Sequence, residues 1–356
     1  MQDCVRKQVT VAMAFVRMPT AESPQSRGRL GEDPAHTYFR CMASAYGSVR
    51  RFNPDVALVL VTSEPLPEPY AGQLAAIGVE TVIAPFAHRP PKGFGRGWMS
   101  SLYHLDAMTA LADRGSTLLF IEPDMLCVRP LDALVAAAGE AVGVQTERLD
   151  ALYAPGAKAL VEYAESCAEM HRELGEENAE HGMFSGSFYL IPPPSMPVLQ
   201  ERINRAWTLA LERHAHGKSA FSTDEHFMNY ALRGVQVVEM SHHVRLIGTA
   251  PWRRLLTDRR TILGLTLWNL TYEKDLGFQR MYRDAVDPDS WFWKSSADEF
   301  RERAGAIMSV TRRSPQRALV NAAGDIVERL TTESMQHRLK PLYTRMVQIF
   351  ASMRPV

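Results

Sequence analysis

Thr117-Leu-Leu-Phe-Ile121-Glu122-Pro123-Asp124 is the stretch on which the reading of this chain turns. A short apolar run with β-branched residues at both ends, followed at once by a proline between two acids, predicts a buried strand that stops abruptly. Two carboxylates one residue apart at a strand end point to the same side, and open α/β sheets bind ligands outside the carboxyl ends of their strands. Oxygen pairs of this kind suit hard divalent cations together with substrate phosphates. Acids also favour turns after strands, so position alone leaves a plain turn equally open.

Upstream, Val9–Val16 reads as a buried strand, and Arg17 to Pro34, rich in proline and glycine, as a long loop. Asp33-Pro34 then opens a helix running to about Phe52. A strand at Val56–Val61, a helix at Tyr70–Ile77 and a strand at Val79–Ala84 complete a β-α-β-α-β order, which implies a parallel sheet. After a loop holding Pro90, Pro91, Gly93, Gly95 and Gly97, the spacing of Met99, Leu102, Leu105, Met108 and Leu111 predicts a helix. Downstream, helices are expected over 131–138, 157–174, 197–211 and 223–233, and strands over 141–145, 187–191 and 235–239. Beyond Ser295 the pattern is wholly helical, which divides the chain into a body, 1–294, and a C-terminal extension, 295–356. Leu319, Ile326, Val327 and Leu330, then Leu342, Met346, Ile349 and Met353, form apolar stripes that need burial against the body, against a second subunit in a homodimer, or at a membrane interface.

The 356 residues carry 40 basic and 40 acidic side chains, so no global charge draws the chain to a polyanion and any such site must be local. Arg301, Arg303, Arg312, Arg313 and Arg317 form a local basic group that keeps a nucleic-acid partner open. Four scattered cysteines support neither a disulfide framework nor a zinc site, which points to a reducing, cytoplasmic setting. No apolar run approaches the roughly 18 residues of a membrane span. Three motif matches fail. His216-Gly-Lys-Ser219 lacks the first glycine of a phosphate-binding loop. Gly93-Phe-Gly-Arg-Gly97 lacks dinucleotide spacing. Gly182-Met-Phe-Ser-Gly186 puts its serine one place late for a nucleophile elbow.

The run Trp98-Met-Ser-Ser-Leu-Tyr-His-Leu-Asp-Ala-Met108, followed by Thr117 to Asp132 with Glu122-Pro123-Asp124 inside it, resembles the core of GT-A glycosyltransferases, particularly the family-8-like group. There an apolar strand leads into an Asp-x-Asp motif. Here Glu122 replaces the first acid, which keeps the charge and lengthens the reach. Phe184-Ser185-Gly186-Ser187 is similar to the family's Asn-Ser-Gly strand start, with Phe184 in the Asn position. Ser222-Thr-Asp224-Glu225-His-Phe-Met-Asn229 is similar to its Asp-Gln-x-x-x-Asn helix start, although Ser222-x-x-Glu225 is also a capping box in its own right. Ser241-His242-His243 to Gly248-Thr-Ala-Pro251-Trp252 is an imperfect match to His-x-x-Gly-x-x-Lys-Pro-Trp. The resemblance covers roughly residues 8 to 252.

It implies a Rossmann-like mixed sheet flanked by helices, and an enzyme that moves a sugar from a nucleotide-diphosphate sugar, a UDP-sugar by preference, to a hydroxyl acceptor. It also implies Mn²⁺ or Mg²⁺ held by Glu122, Asp124 and His243, with His242 as the other histidine. Ala14, Phe15, Arg96, Glu122, Asp124, Ser185 and Gly186 would face the donor, and Lys92 or Arg96 its diphosphate. Asp224, then Glu225, would be the carboxylate acting on the sugar side. The acceptor is open among small molecules, lipids, glycans, proteins and modified DNA bases. The competing readings are a nucleotidyltransferase, whose usual glycine-rich loop is missing from Phe15-Val-Arg-Met-Pro19, and a non-catalytic GT-A-like binding module.

Overall fold

The computed structural model describes residues 9–18, 33–95, 98–146, 157–176, 184–218, 221, 223–249 and 259–311, with isolated helical positions at 319, 322, 323, 341, 342, 345, 346 and 349. The strands are β1 (Val9–Phe15), β2 (Ala57–Thr62), β3 (Val79–Ile83), β4 (Thr117–Ile121), β5 (Met125–Cys127), β6 (Val142–Thr146), β7 (Phe184–Ile191), β8 (Val237–Glu239), β9 (Val244–Leu246) and β10 (Leu267–Asn269). The helices are α1 (Ala35–Phe52), α2 (Tyr70–Ile77), α3 (Tyr103–Leu111), α4 (Asp132–Ala138), α5 (Ala157–Glu173), α6 (Met196–Ala215), α7 (Asp224–Ala231), α8 (Arg259–Gly264), α9 (Gly277–Ala285), α10 (Trp291–Lys294) and α11 (Ala297–Ile307).

A seven-stranded sheet runs in the order β3-β2-β1-β4-β7-β6-β8. Its first four strands are parallel, and β7 then pairs antiparallel with both β4 and β6. The expected mixed α/β architecture is thus present, with the change of direction falling on β4, the strand that carries the acids. β1 is buried along its whole length and splits by alternation. Ala12 and Ala14 join the cluster under α3, α6 and α7, whereas Val11, Met13 and Phe15 join the one under α1, α2 and α4. That two-sided burial explains why the strand reads as a continuous apolar run.

Three short strands form a second sheet, β5-β10-β9, which sequence periodicity did not predict. Pro123 has no N–H to continue the ladder, so the Glu122 N–H donates the last bond to β7, at Ser187 O, 3.2 Å away. The Met125 N–H then turns back to Glu122 O at 3.1 Å, and the chain leaves for the second sheet.

Trp268, Phe278, Phe292, Phe300, Ala304 and Met308 share one core cluster with Leu126 of β5. Phe300 of α11 meets Phe52 of α1 edge to face, with ring centroids 5.4 Å apart, and Arg51 donates to Phe292 O and Ser295 O. Residues on both sides of 294/295 thus share this cluster, which continues to Met308. Of the apolar residues named in the tail, Leu319, Leu342 and Ile349 are exposed, while Ile326, Val327, Leu330 and Met353 lie outside the described residues. Arg301 pairs with Asp298 and Arg303 with Glu299, so these two members of the expected basic group are locally neutralised; Arg312, Arg313 and Arg317 lie outside the described residues. Among the described residues no helix is long and apolar enough to cross a membrane.

Candidate active site

The turn between β4 and β5 sits where the two sheets meet, so its acids are held from both sides. The Asp124 carbonyl accepts from the Leu270 N–H at 2.9 Å, and the Asp124 side chain is 0 % exposed. Its Oδ2 lies 2.7 Å from Nζ of Lys274, from the turn that follows β10. Burial alone would lower the ammonium, but the Asp124 carboxylate, with Tyr38 and Glu122 nearby, holds it well above its ordinary value. Neither carboxylate oxygen of Asp124 has a hydrogen-bond partner among the described residues, so its contact with Lys274 is an ion pair. The Glu122 carboxyl is pushed up to about 7 by burial and by the adjacent Asp124 charge, against the opposing pull of Lys274, His104 and Ser187. Tyr38 borders the same cluster, with its ring centroid 5.7 Å from Lys274 Nζ, and burial pushes its phenol up to about 12.

A second acidic group comes from the start of α7. Thr223 is the N-cap, and its N–H and hydroxyl lie 3.4 and 2.8 Å from Nδ1 of His226. The buried His226 ring is lowered to about 4, so the neutral imidazole is the form that accepts here. This local cap releases Glu225 from the capping duty that Ser222-x-x-Glu225 suggested; Ser222 itself lies outside the described residues. Instead, Glu225 Oε1 accepts from the Gly186 N–H at 2.9 Å. Asn229, one turn on, holds α7 to the first residue of β7. Its Oδ1 accepts from the Phe184 N–H at 2.9 Å, and its Nδ2 donates to Phe184 O at 3.0 Å and to Glu225 O at 2.8 Å. This clamp explains why β7 begins at Phe184, three residues before the expected start.

Gly186 is the floor between the two groups. A Cβ there would lie 2.7 Å from Glu225 Cγ and 3.3 Å from Asp224 Oδ2. Asp224, itself buried, receives His104 Nδ1 from α3 at 2.7 Å, and its N–H donates to Ser101 Oγ at 3.3 Å. Burial pulls the His104 imidazole down, yet the Asp224 carboxylate, reinforced by Glu122 and Glu225, leaves it raised above 6.5. Ser185 is buried, with its Oγ 3.3 Å from Ser187 Oγ.

The structure thus brings together Glu122, Asp124, Ser185, Gly186, Asp224 and Glu225, all named from sequence, with His104, Lys274 and Tyr38, whose roles were not. Ala14 and Phe15 end β1 next to β4; Phe15 turns its ring into α1, 4.9 Å from Phe39, leaving the backbone at the edge. Arg96 lies outside the described residues, and Lys92 is exposed.

His243 is not brought to the acids. Val244 pairs with Leu267 and Leu267 with Cys127, so His243 sits beside Thr266 and level with Val128, four residues along the chain from Asp124. At about 3.3 Å per residue that is about 13 Å of strand. His243 Nδ1 lies 3.4 Å from Thr266 Oγ1, and His242 is exposed. Pro251 and Trp252 lie outside the described residues. Among the described residues no three His, Cys, Asp or Glu side chains converge as a metal site. With an ammonium seated on Asp124, the donor set among the described residues does not fit the divalent cation that the motif implies.

No family model matches the sequence, and no curated protein matches it significantly. Among solved structures, the galactosyltransferase LgtC in complex with donor and acceptor sugar analogues is 16% identical at a TM-score of 0.47, over 86% of this chain and 98% of that one. An active-site mutant of LgtC gives 14% identity and a TM-score of 0.46 over the same shares. The apo form of the bifunctional glycosyltransferase WbbM gives 10% and 0.45, over 83% of this chain and 52% of that chain, so this chain spans about half the length of WbbM.

Proposed function

We propose that this protein transfers a sugar from a nucleotide-diphosphate sugar, a UDP-sugar by preference, to a hydroxyl acceptor. The observation that carries the reading is the convergence of Asp224 and Glu225 with the Glu122–Asp124 turn around Gly186. These are the segments whose order in the sequence resembles the GT-A core, and they meet at the carboxyl edge of β4, where the sheet changes direction. The nucleotide would lie over the ends of β1 and β4, the diphosphate beside Lys274, and the sugar on Gly186 towards Asp224.

In such a transfer the anomeric carbon–oxygen bond breaks with its electron pair going to the nucleoside diphosphate. The acceptor oxygen forms the new bond and gives up its proton. If configuration inverts, Asp224 would take that proton; if it is retained, the leaving phosphate would take it and Asp224 would steady the positively charged sugar. His104 would orient the Asp224 carboxylate in either case.

Nucleotide release from a panel of UDP- and GDP-sugars, measured in chelator and with added Mn²⁺, tests the reading. Release that falls with Asp224→Asn in a folded protein supports it. Binding and release absent in both conditions, or pyrophosphate formed from a nucleoside triphosphate and a sugar phosphate, would overturn it.

A further inference from the structure

We propose that Lys274 stands in for the divalent cation at this site: its ammonium, seated on Asp124, meets the donor diphosphate, and transfer runs without a metal ion. The inference rests on the nucleotide-sugar reading above and departs from the metal-dependent chemistry that the sequence resemblance implies.

The first argument is occupancy. Nζ of Lys274 is 2.7 Å from Asp124 Oδ2, an ion pair, and a Mg²⁺ ion would take a carboxylate oxygen at about 2.1 Å. Both cannot use it. Of the other expected ligands, Glu122 remains at hand and His243 lies about 13 Å of strand away.

The second argument is preorganisation, because the lysine is not a stray surface chain. The Lys274 carbonyl accepts from Gln279 Nε2 at 2.7 Å, and Gln279 Oε1 accepts from Arg40 Nη1 at 3.0 Å, which ties the turn to α9 and α1. Glu273, the preceding residue, is fully buried, and its Oε2 accepts from the Gly277 N–H at 3.2 Å. Leu270, four residues before Lys274, is bonded to the Asp124 backbone itself. The turn that delivers the ammonium is therefore fixed to the residue that receives it.

The third argument is access. Asp124 is sealed, whereas the Lys274 side chain keeps 17 % of its surface open. A lysine has three N–H donors, and the pairing with a single Asp124 oxygen can engage at most one. The others suit the phosphate oxygen that gains charge as the glycosidic carbon–oxygen bond breaks, the position at which a fixed cation contributes most.

Two measurements test this. In the first, Mn²⁺ alone is titrated into the metal-stripped full chain and followed by electron paramagnetic resonance. No bound Mn²⁺ in wild type and binding by Lys274→Met is expected; stoichiometric binding by wild type that Asp124→Asn abolishes overturns the proposal, whatever the substrate. In the second, donor turnover is measured in chelator. Turnover that added Mn²⁺ changes by less than about twofold, and that Lys274→Met lowers by about 10²-fold or more, is expected. Turnover lost in chelator and restored by Mn²⁺ overturns the role of Lys274 while leaving the transferase reading intact. Failure of every donor in both conditions overturns the transferase reading instead, and the Mn²⁺ titration still decides the occupancy of Asp124. Because Lys274→Met leaves Asp124 buried and unpaired, the double variant Lys274→Met/Asp124→Asn serves as the folded control. It should be inactive with or without metal, and wild-type turnover by it in chelator would sink the proposal.

Discussion

Two buried aspartates, each facing one cation, define the two ends of this site, and their partners differ in kind. Asp124 faces Lys274 at 2.7 Å; Asp224 faces His104 at the same distance. Lysine stays charged across any working pH, so the β4–β5 end of the site carries a permanent ion pair. Histidine titrates near neutrality, so the α7 end carries a pair whose cation can lose its proton. The supports differ too. Lys274 rides on a turn pinned to Asp124 through Leu270, whereas His104 reaches Asp224 from a separate helix, α3, with Ser101, two residues before that helix, bonded to the Asp224 N–H. On the proposed reading, a fixed charge would lie beside the diphosphate and an adjustable one beside the sugar, which is the division of labour that leaving-group stabilisation and proton handling call for.

The sharpest way to break this contrast is to remove one member of the permanent pair. Asp124→Asn strands the Lys274 ammonium against a buried amide, and loss of one partner of a buried pair costs about 3–5 kcal/mol. The lower end is expected because Lys274 keeps some access to water. Chemical denaturation should show a lower midpoint at unchanged slope. A loss under about 1 kcal/mol would mean that the pair is solvated and not a fixed feature of the site.

At the other end the effect should fall on rate. Asp224→Asn keeps shape and removes the charge on what the proposed reading makes the sugar side, so kcat should drop by about 10²–10³-fold with little change in donor KM. The opposite split, donor binding lost while kcat survives, would make Asp224 a binding residue. A smaller effect is expected between the two ends. Gly186→Ala places a methyl 2.7 Å from Glu225 Cγ, so Glu225 must swing away; kcat should fall by about 10-fold with the melting temperature nearly unchanged. Restoring room with Gly186→Ala/Glu225→Asp should recover part of the loss.

The sequence announces the two halves of this comparison unequally. The parallel strands and their helices are legible because β1, β2 and β4 are buried on both faces along nearly all their length, so their runs are apolar and are bounded by polar residues. Asp124, Gly186, Asp224 and Glu225 are legible because each sits in a short motif at an element boundary. The second sheet is not, because three-residue strands such as Val244–Leu246 and Leu267–Asn269 carry no measurable period. Lys274 follows from that failure: it stands 150 positions after Asp124, and only the register of β10 against β5 brings the two together. His104 had a signal, since it lies in the same quoted run as Trp98 and Leu105, but on a helix its role is set by α7, which only the fold supplies. The Asp124–Leu270 backbone bond likewise explains why residues after 252, beyond the reach of the motif resemblance, complete the site.

The mildest and most diagnostic prediction concerns the titratable pair. His104 is faced by three carboxyl groups, Glu122 at the end of β4 and Asp224 and Glu225 at the start of α7, and its imidazole is raised above 6.5 in the fold. A group raised on folding binds more protons in the native than in the unfolded state between its two values. Its contribution is therefore complete below pH 6.5 and fades as pH climbs through the raised value. Glu122, pushed up to about 7, contributes a slope of the same sign from 4.5 upward, so the comparison is cleanest with Glu122→Gln as background. In that background the melting temperature should decline as pH rises above 6.5, and adding His104→Gln should flatten that decline without lowering the alkaline plateau by a similar amount. Lys274→Arg, made as the counterpart at the other end, should leave the decline in place, because the cation on Asp124 does not titrate in this range. A decline that survives His104→Gln would assign the proton to another group and remove the distinction drawn between the two aspartates.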